Sequence, residues 1–113
     1  MNFTTRPLIQ GTFGAVASTH WLASAVGMKL LEAGGNAFDA AAGAGFVLSV
    51  VEPHLNGPLG EVPVLIWPAG EETPSVICGQ GTAPSNATIA HYRSEGLTLV
   101  PGSGLLATVV PGA

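Results

Sequence analysis

The run Gly34-Gly35-Asn36-Ala37-Phe38-Asp39-Ala40-Ala41-Ala42 constrains this chain more than any other stretch, because it has to end one helix and begin another. Upstream, His20 to Ala33 contains no proline and is made of good helix formers, with Leu22, Val26, Leu30 and Ala33 on one stripe. His20 is read as a first-turn residue of that helix. The double glycine stops it, since glycine enters the left-handed conformation that a helix C-terminus often needs without a Cβ clash. Asn36 then serves as the N-cap of a second helix. Asp39, three residues on, can reach back to the cap and sits at the positive end of the helix dipole. This second helix is predicted over Ala37 to Val51, stopping before Pro53. Its small residues Ala40 to Gly45 let neighbouring backbone come very close, so it is expected to be buried around most of its circumference.

The remaining elements are shorter. The arm to about Thr12 reads as irregular, and Phe13 to Ala17 as a short buried strand. Leu55-Asn56-Gly57-Pro58-Leu59-Gly60 is a loop by its local signals. Val62 to Trp67 and Ser75 to Cys78 read as strands around the turn Pro68 to Pro74, which makes a hairpin the simplest pairing; Pro63 stands near a strand start, where proline is tolerated. Ser85 or Asn86 is expected to cap a short helix to about Ser94, with Ile89 and Tyr92 inward and Gly96 past its end. Leu105 to Ala113 is strand-like text. There is no internal repeat and no low-complexity linker, so the chain is read undivided.

Charge limits what such a chain can do. Only 9% of its 113 residues are charged, against about 25% in an ordinary soluble domain. A free domain of this size would have difficulty covering its surface, so the expectation is a piece of a larger protein whose remainder covers it. The rival reading is a free-standing small helical-hairpin protein. A net charge of -4 with Arg6, Lys29 and Arg93 as its basic residues argues against nucleic acid, which needs a basic footprint. The apolar helical run Ala37 to Val51 is too short to span a bilayer and contains Asp39, so no membrane partner is expected. No targeting signal is read in Met1 to Val16, and the single Cys78 fits a reducing compartment; the expected location is cytoplasmic. On that ground the glycosylation spellings Asn2-Phe3-Thr4 and Asn86-Ala87-Thr88 are discounted.

Taken singly, the chemical candidates are weak. Gly102-Ser103-Gly104-Leu105-Leu106-Ala107 spells a dinucleotide fingerprint, but Pro101 precedes it and a strand-like run follows where a helix is required. Gly79-Gln80-Gly81 is a bare segment after a strand. His20, His54 and His91 lie far apart with no metal-ligand spacing, so neither zinc nor any other cofactor is expected. Cys78 has no neighbouring base or cation to activate it. Asp39 reads as a cap rather than a catalyst.

The wording around the helical joint carries more. Ala17-Ser18-Thr19-His20-Trp21-Leu22-Ala23-Ser24, Leu31 to Ala41 and Val50-Val51-Glu52-Pro53-His54 closely resemble the N-terminal part of the large subunit of gamma-glutamyltransferases. The likeness runs from about Gly14 to Thr82-Ala83-Pro84, with a later Val-Pro-Gly echoed by Val110-Pro111-Gly112. The resemblance implies an α/β (α+β) fold, the N-terminal-nucleophile αββα sandwich, of which residues 1–113 are an incomplete N-terminal part. It also implies a precursor that cleaves itself to expose an N-terminal threonine, which attacks an amide carbonyl with its own α-amine as base. None of Thr82, Thr98 or Thr108 matches the context of that threonine, so this stretch is expected to be inert alone. Its implied partners are the rest of the precursor and a small-molecule amide substrate.

Two departures bear on substrate. Family members acting on gamma-glutamyl compounds carry a Phe-Arg-Glu-Thr-Ala-Pro type motif whose arginine grips a carboxylate through a bidentate fork. Here Gly79-Gln80-Gly81-Thr82-Ala83-Pro84 puts Gln80 at the arginine's place, so Gln80 is the expected substrate-binding residue. The glycine-rich segment that follows the histidine is replaced by Leu55 to Pro63. Both changes point to a divergent branch, an acylase or an amidohydrolase of another small acid amide, with wording similar to oxamate amidohydrolases. A scaffold relative without catalysis, acting as a binding or structural subunit, is the alternative.

Overall fold

The computed structural model describes residues 8–112. The first seven residues of the expected N-terminal arm, with Asn2-Phe3-Thr4 and Arg6, and Ala113 at the end of the strand-like tail, lie outside the described residues. In chain order the elements are α1 (Trp21–Glu32), α2 (Ala37–Val51), β1 (Val62–Ile66), β2 (Ser75–Gly79), α3 (Ile89–Ser94) and a 3-10 turn at Leu105–Ala107. They fall into two compact units that divide between Gly57 and Pro58, inside the loop that the sequence signals.

The first unit is the helical pair. His20 is not in the first turn of α1 but is its N-cap: its backbone is extended and its Nδ1 accepts the Leu22 N–H at 3.2 Å. The imidazole nitrogen thus does what a Ser or Asp oxygen does at most caps. At the other end Gly34 has φ +94°, its N–H donates to Leu31 O at 3.0 Å, and Gly35 N–H donates to Leu30 O at 2.9 Å. These two bonds are the Schellman pair, which satisfies carbonyls the helix leaves open. One residue later the capping box is complete: Asn36 Oδ1 accepts from Phe38 N at 2.8 Å and Asp39 N at 3.2 Å, and Asp39 Oδ2 accepts from Asn36 N at 2.9 Å.

The two helices pack through their smallest residues. Ala23 and Gly27 of α1 and Ala40 and Ala44 of α2 are buried. A Cβ on Gly27 would stand 3.2 Å from Ala40 O and 2.9 Å from Val16 Cγ1, and one on Gly43 would collide with Leu30 Cδ1. The contact stripe of α1 is therefore Ala23 and Gly27 together with the expected Val26 and Leu30, both of which lie against Gly43 of α2. Backbones approach most closely where side chains are absent, and the bulkier Leu30 fills the room over Gly43. Leu22 and Ala33 are exposed. The expected burial of α2 around most of its circumference is not met here, for Phe46 and Val50 are each 77% exposed. A helix buries only the face that something packs against, and α2 packs on α1. The Thr19 hydroxyl donates to the Glu52 carboxylate, joining the start of α1 to the C-cap of α2. The expected buried strand at Phe13 to Ala17 does not form: no strand among the described residues of this unit offers it a ladder, Phe13 sits in a bend and is 68% exposed, and Val16 lies over Gly27.

The second unit begins with the expected hairpin, antiparallel from Val62 opposite Gly79 to Ile66 opposite Ser75. Its turn is held by Trp67 Nε1 donating to Glu71 O at 2.8 Å, with Gly70 at φ +90°. The short helix α3 is capped by Thr88, not by Ser85 or Asn86. Thr88 Oγ1 accepts from His91 N at 3.1 Å, because Pro84 to Ala87 already closes its own turn through Ala87 N to Pro84 O at 2.9 Å. Gly96 follows the helix at φ +75°, as expected. Tyr92 is half-buried and donates to Leu106 O at 2.8 Å, whereas Ile89 is 73% exposed and does not turn inward. The strand-like tail opens with the 3-10 turn, Thr108 after it is extended, and residues 108–112 join no strand ladder.

Replacing Asn36 by Ala removes the acceptor for two helix N–H groups and should lower stability by about 1 kcal/mol, while Asn36→Asp should be close to neutral. Gly34→Ala, forced to φ +94°, should cost about 1–2 kcal/mol. Urea unfolding monitored by circular dichroism checks all three.

Candidate functional site

Beyond the last pair of the hairpin, three backbone segments of the second unit meet. The Gly112 N–H donates to Leu59 O at 3.3 Å, and the Val110 N–H donates to Thr82 O at 2.9 Å. A Cβ on Gly112 would collide with Gly79 O and stand 2.7 Å from Gly60 O; one on Gly81 would collide with Val110 O. Only glycine permits backbones to come this close. The pieces singled out in the sequence, Leu59-Gly60, Gly79-Gln80-Gly81-Thr82 and Val110-Pro111-Gly112, are therefore brought to one place although some 50 residues separate the first from the last. That convergence was hidden in the sequence. Its available signal was the glycine at each crossing.

Gln80 stands in the middle of this knot. Gly79 on one side is buried and Gly81 on the other is pinned against Val110, so the backbone at Gln80 is held from both sides. Its side chain is exposed, and its Oε1 accepts from Cys78 Sγ at 3.7 Å. A carboxamide so placed offers a neutral donor and acceptor, without the charge and fork of a guanidinium. Opposite, Leu59 has φ +67°, a left-handed conformation that costs a leucine about 1–2 kcal/mol. Its carbonyl, bonded to Gly112, holds it there.

The other sequence candidates are placed elsewhere. Asp39 is engaged in its capping box and His20 in its own cap. His91 is exposed on α3 and His54 is exposed after α2. No group of three metal-ligating side chains occurs among the described residues. Cys78 is free and exposed on β2. The run from Gly102 to Ala107 leads into a 3-10 turn after Gly104 at φ +87°, so it offers no α-helix N-terminus to a phosphate. In the first unit an open groove of about 510 Å³ runs between residues 15–19 and α2, lined by Ala15, Ala17, Ala40, Ala41, Ala44 and Gly45 among others. It is mostly apolar, with Ser18 and Thr19 among its lining residues. No helix among the described residues is long and apolar enough to cross a membrane.

Comparison with known proteins places this geometry in context. A family model described as gamma-glutamyltranspeptidase matches residues 23–113. The glutathione hydrolase-like YwrD proenzyme of Bacillus subtilis (strain 168) is 38% identical over 103 residues, 90% of this chain and 19% of that protein. Among solved structures, that of LmbA2991HD superposes with a TM-score of 0.86 at 67% identity, covering 98% of this chain and 19% of its own. The gamma-glutamyltranspeptidase of Helicobacter pylori superposes with a TM-score of 0.77 at 36% identity, over 94% of this chain and 31% of that one. The chain thus spans less than a fifth of the length of the first curated relatives it matches.

Gly81→Ala should disrupt the crossing, since the obstructing atom is the Val110 carbonyl and backbone must move; a loss of about 1–3 kcal/mol is expected. Gly102→Ala, which meets nothing within 4 Å, should be neutral within about 0.5 kcal/mol. Thermal melting of the two variants side by side distinguishes a packed crossing from an ordinary turn.

Proposed function

The chain belongs to the gamma-glutamyltranspeptidase family, and from that premise we propose that residues 1–113 are the N-terminal segment of the large subunit of an enzyme that cleaves or transfers an amide-linked acyl group. The fold is that of the N-terminal-nucleophile gamma-glutamyltranspeptidases, of which these helices and strands are a mixed α and β portion. In this reading a threonine downstream of Ala113 is exposed by self-cleavage and attacks the amide carbonyl, its own α-amine taking the proton. Backbone N–H groups stabilise the oxyanion. The present segment contributes scaffold and one wall of the substrate pocket, with Gln80 as the binding residue. Its partners are the remainder of the precursor and a small-molecule amide, and no cofactor takes part. The proposed compartment is the cytoplasm, where the free thiol of Cys78 stays reduced.

The observation that supports this best is the convergence at Gln80. The glycine crossings hold its backbone, and its side chain is left exposed. Where the family's gamma-glutamyl enzymes use an arginine to grip a carboxylate, a carboxamide stands here, which favours an acylase or a hydrolase of another small amide over a glutathione transpeptidase. A relative that keeps the scaffold but has lost catalysis is the second reading.

The full-length precursor should resolve into two bands after purification, the smaller beginning with threonine by N-terminal sequencing; one persistent uncleaved band overturns the enzyme reading. The cleaved enzyme should release little aniline from a gamma-glutamyl anilide, and Gln80→Arg should raise that rate. Strong wild-type turnover of the same anilide refutes the divergent pocket.

A further inference from the structure

The first turn of α1 hangs on a ring nitrogen that has to be free of its proton. A backbone N–H only donates, so the Leu22 N–H, 3.2 Å from His20 Nδ1, requires a lone pair there, and the ring proton sits on Nε2. The neighbouring donors are served by other atoms. Ala23 N–H and Ser24 N–H donate to His20 O at 3.1 and 3.3 Å, and the Ser18 hydroxyl donates to the same carbonyl at 2.7 Å. Among the described residues, the acceptor for the Leu22 N–H is the imidazole. The usual caps, Ser, Thr, Asp and Asn, present an oxygen that accepts throughout the neutral range. An imidazole accepts only while neutral, and histidine is the side chain that ordinarily changes charge between about pH 5 and 8.

We propose that His20 is a proton-operated cap, and that α1 loses the anchorage of its first turn when this ring takes up a proton. A proton on Nδ1 turns the acceptor into a donor and sets N–H against N–H. It also places a positive charge at the positive end of the helix dipole, where the first turn of α1 has no acidic residue to offset it. Charged groups on the packed elements are few. Lys29 and Glu32 belong to later turns of α1, Lys29 being nine residues on and about 13 Å along the axis. Asp39 is held in its capping box at the opposite end of the helical pair, and Glu52, at the C-cap of α2, accepts from the Thr19 hydroxyl. The Glu52 carboxylate and the Trp21 ring, stacked on His20 with centroids 6.1 Å apart, both favour a cation there. Neither replaces the acceptor that Leu22 loses. The next residue, Ala23, is fully buried, so opening of this turn loosens the α1 end of the helical contact. The anchorage is thus present while the ring is neutral and is lost as pH falls.

The test is hydrogen exchange of the full-length precursor at about pH 7.5 and about pH 5, read by mass spectrometry on the peptide over residues 20–26, with each rate divided by that of the unstructured peptide at the same pH. Protection of the wild type should fall about fivefold at the lower pH, the worth of a typical cap. His20→Asn keeps an acceptor that does not titrate, so its protection should be the same at both values; His20→Ser serves the same purpose if the asparagine variant folds poorly. His20→Ala should be weakly protected at both. Nitrogen-15 spectra of histidine-labelled precursor give a second readout: at the higher pH the His20 ring, identified by its loss in His20→Asn, should carry its proton on Nε2. Equal wild-type protection at the two pH values, an equal fall in wild type and His20→Asn, or a ring protonated on Nδ1 at the higher pH overturns the proposal. None of these readouts depends on amide cleavage, so the proposal stands or falls apart from the enzyme reading.

Discussion

Both units are assembled where backbone meets backbone with no Cβ between them. In the helical pair this happens at Gly27 against Ala40 O, and in the second unit at Gly81 against Val110 and Gly112 against Gly79. Such contacts are short and numerous, so they build dispersion energy without large side chains. They also tolerate little variation. Adding one carbon at Gly81 or Gly112 requires backbone to move, whereas at Gly43 the obstructing atom is the far end of a leucine side chain. The glycine content is therefore not loop material alone. Part of it sets the distance between segments, and through that distance the position of Gln80.

The same economy leaves much apolar surface uncovered by this chain. Among the described residues Ala23, Ala40 and Ala44 are the buried hydrophobic ones, while Phe46, Val50, Leu65, Trp67 and Val76 are mostly exposed. Exposed side chains of that size and number are unusual for a surface that faces water. In the proposed precursor they are the faces on which the remaining sequence packs. The low charge then belongs to an interior and not to a surface, and the capping interactions at Asn36, Asp39 and His20 fix local structure without help from that remainder.

What could be read in the residues followed from how local its cause is. The Gly34-Gly35 stop, the Asn36 and Asp39 capping box, the hairpin and the Gly96 terminus all depend on neighbours within a few positions, and each occurs as expected. The misreadings concern competition or distance. Thr88 displaced Ser85 and Asn86 as a cap because the preceding turn engages Pro84 and Ala87. Phe13 to Ala17 has strand composition but no strand to pair with, and the α1 stripe kept Val26 and Leu30 but took in Ala23 and Gly27 in place of Leu22 and Ala33, because contact is closest at the smallest side chains. At the candidate site Gln80 could be singled out by its place in a motif. Its company could not, because the crossings with Val110 and Gly112 join residues about 30 apart in the chain.

Leu59 inverts the ordinary meaning of a conservative change. Held at φ +67° by its carbonyl bond to Gly112, it occupies backbone space that favours residues without β-branching. Isoleucine or valine, chemically its nearest kin, would be the poorest replacements there, and glycine or asparagine the most comfortable. A hydropathy-based ranking of substitutions at this position would thus run in the wrong order, because the backbone angle and not greasiness decides what the loop accepts.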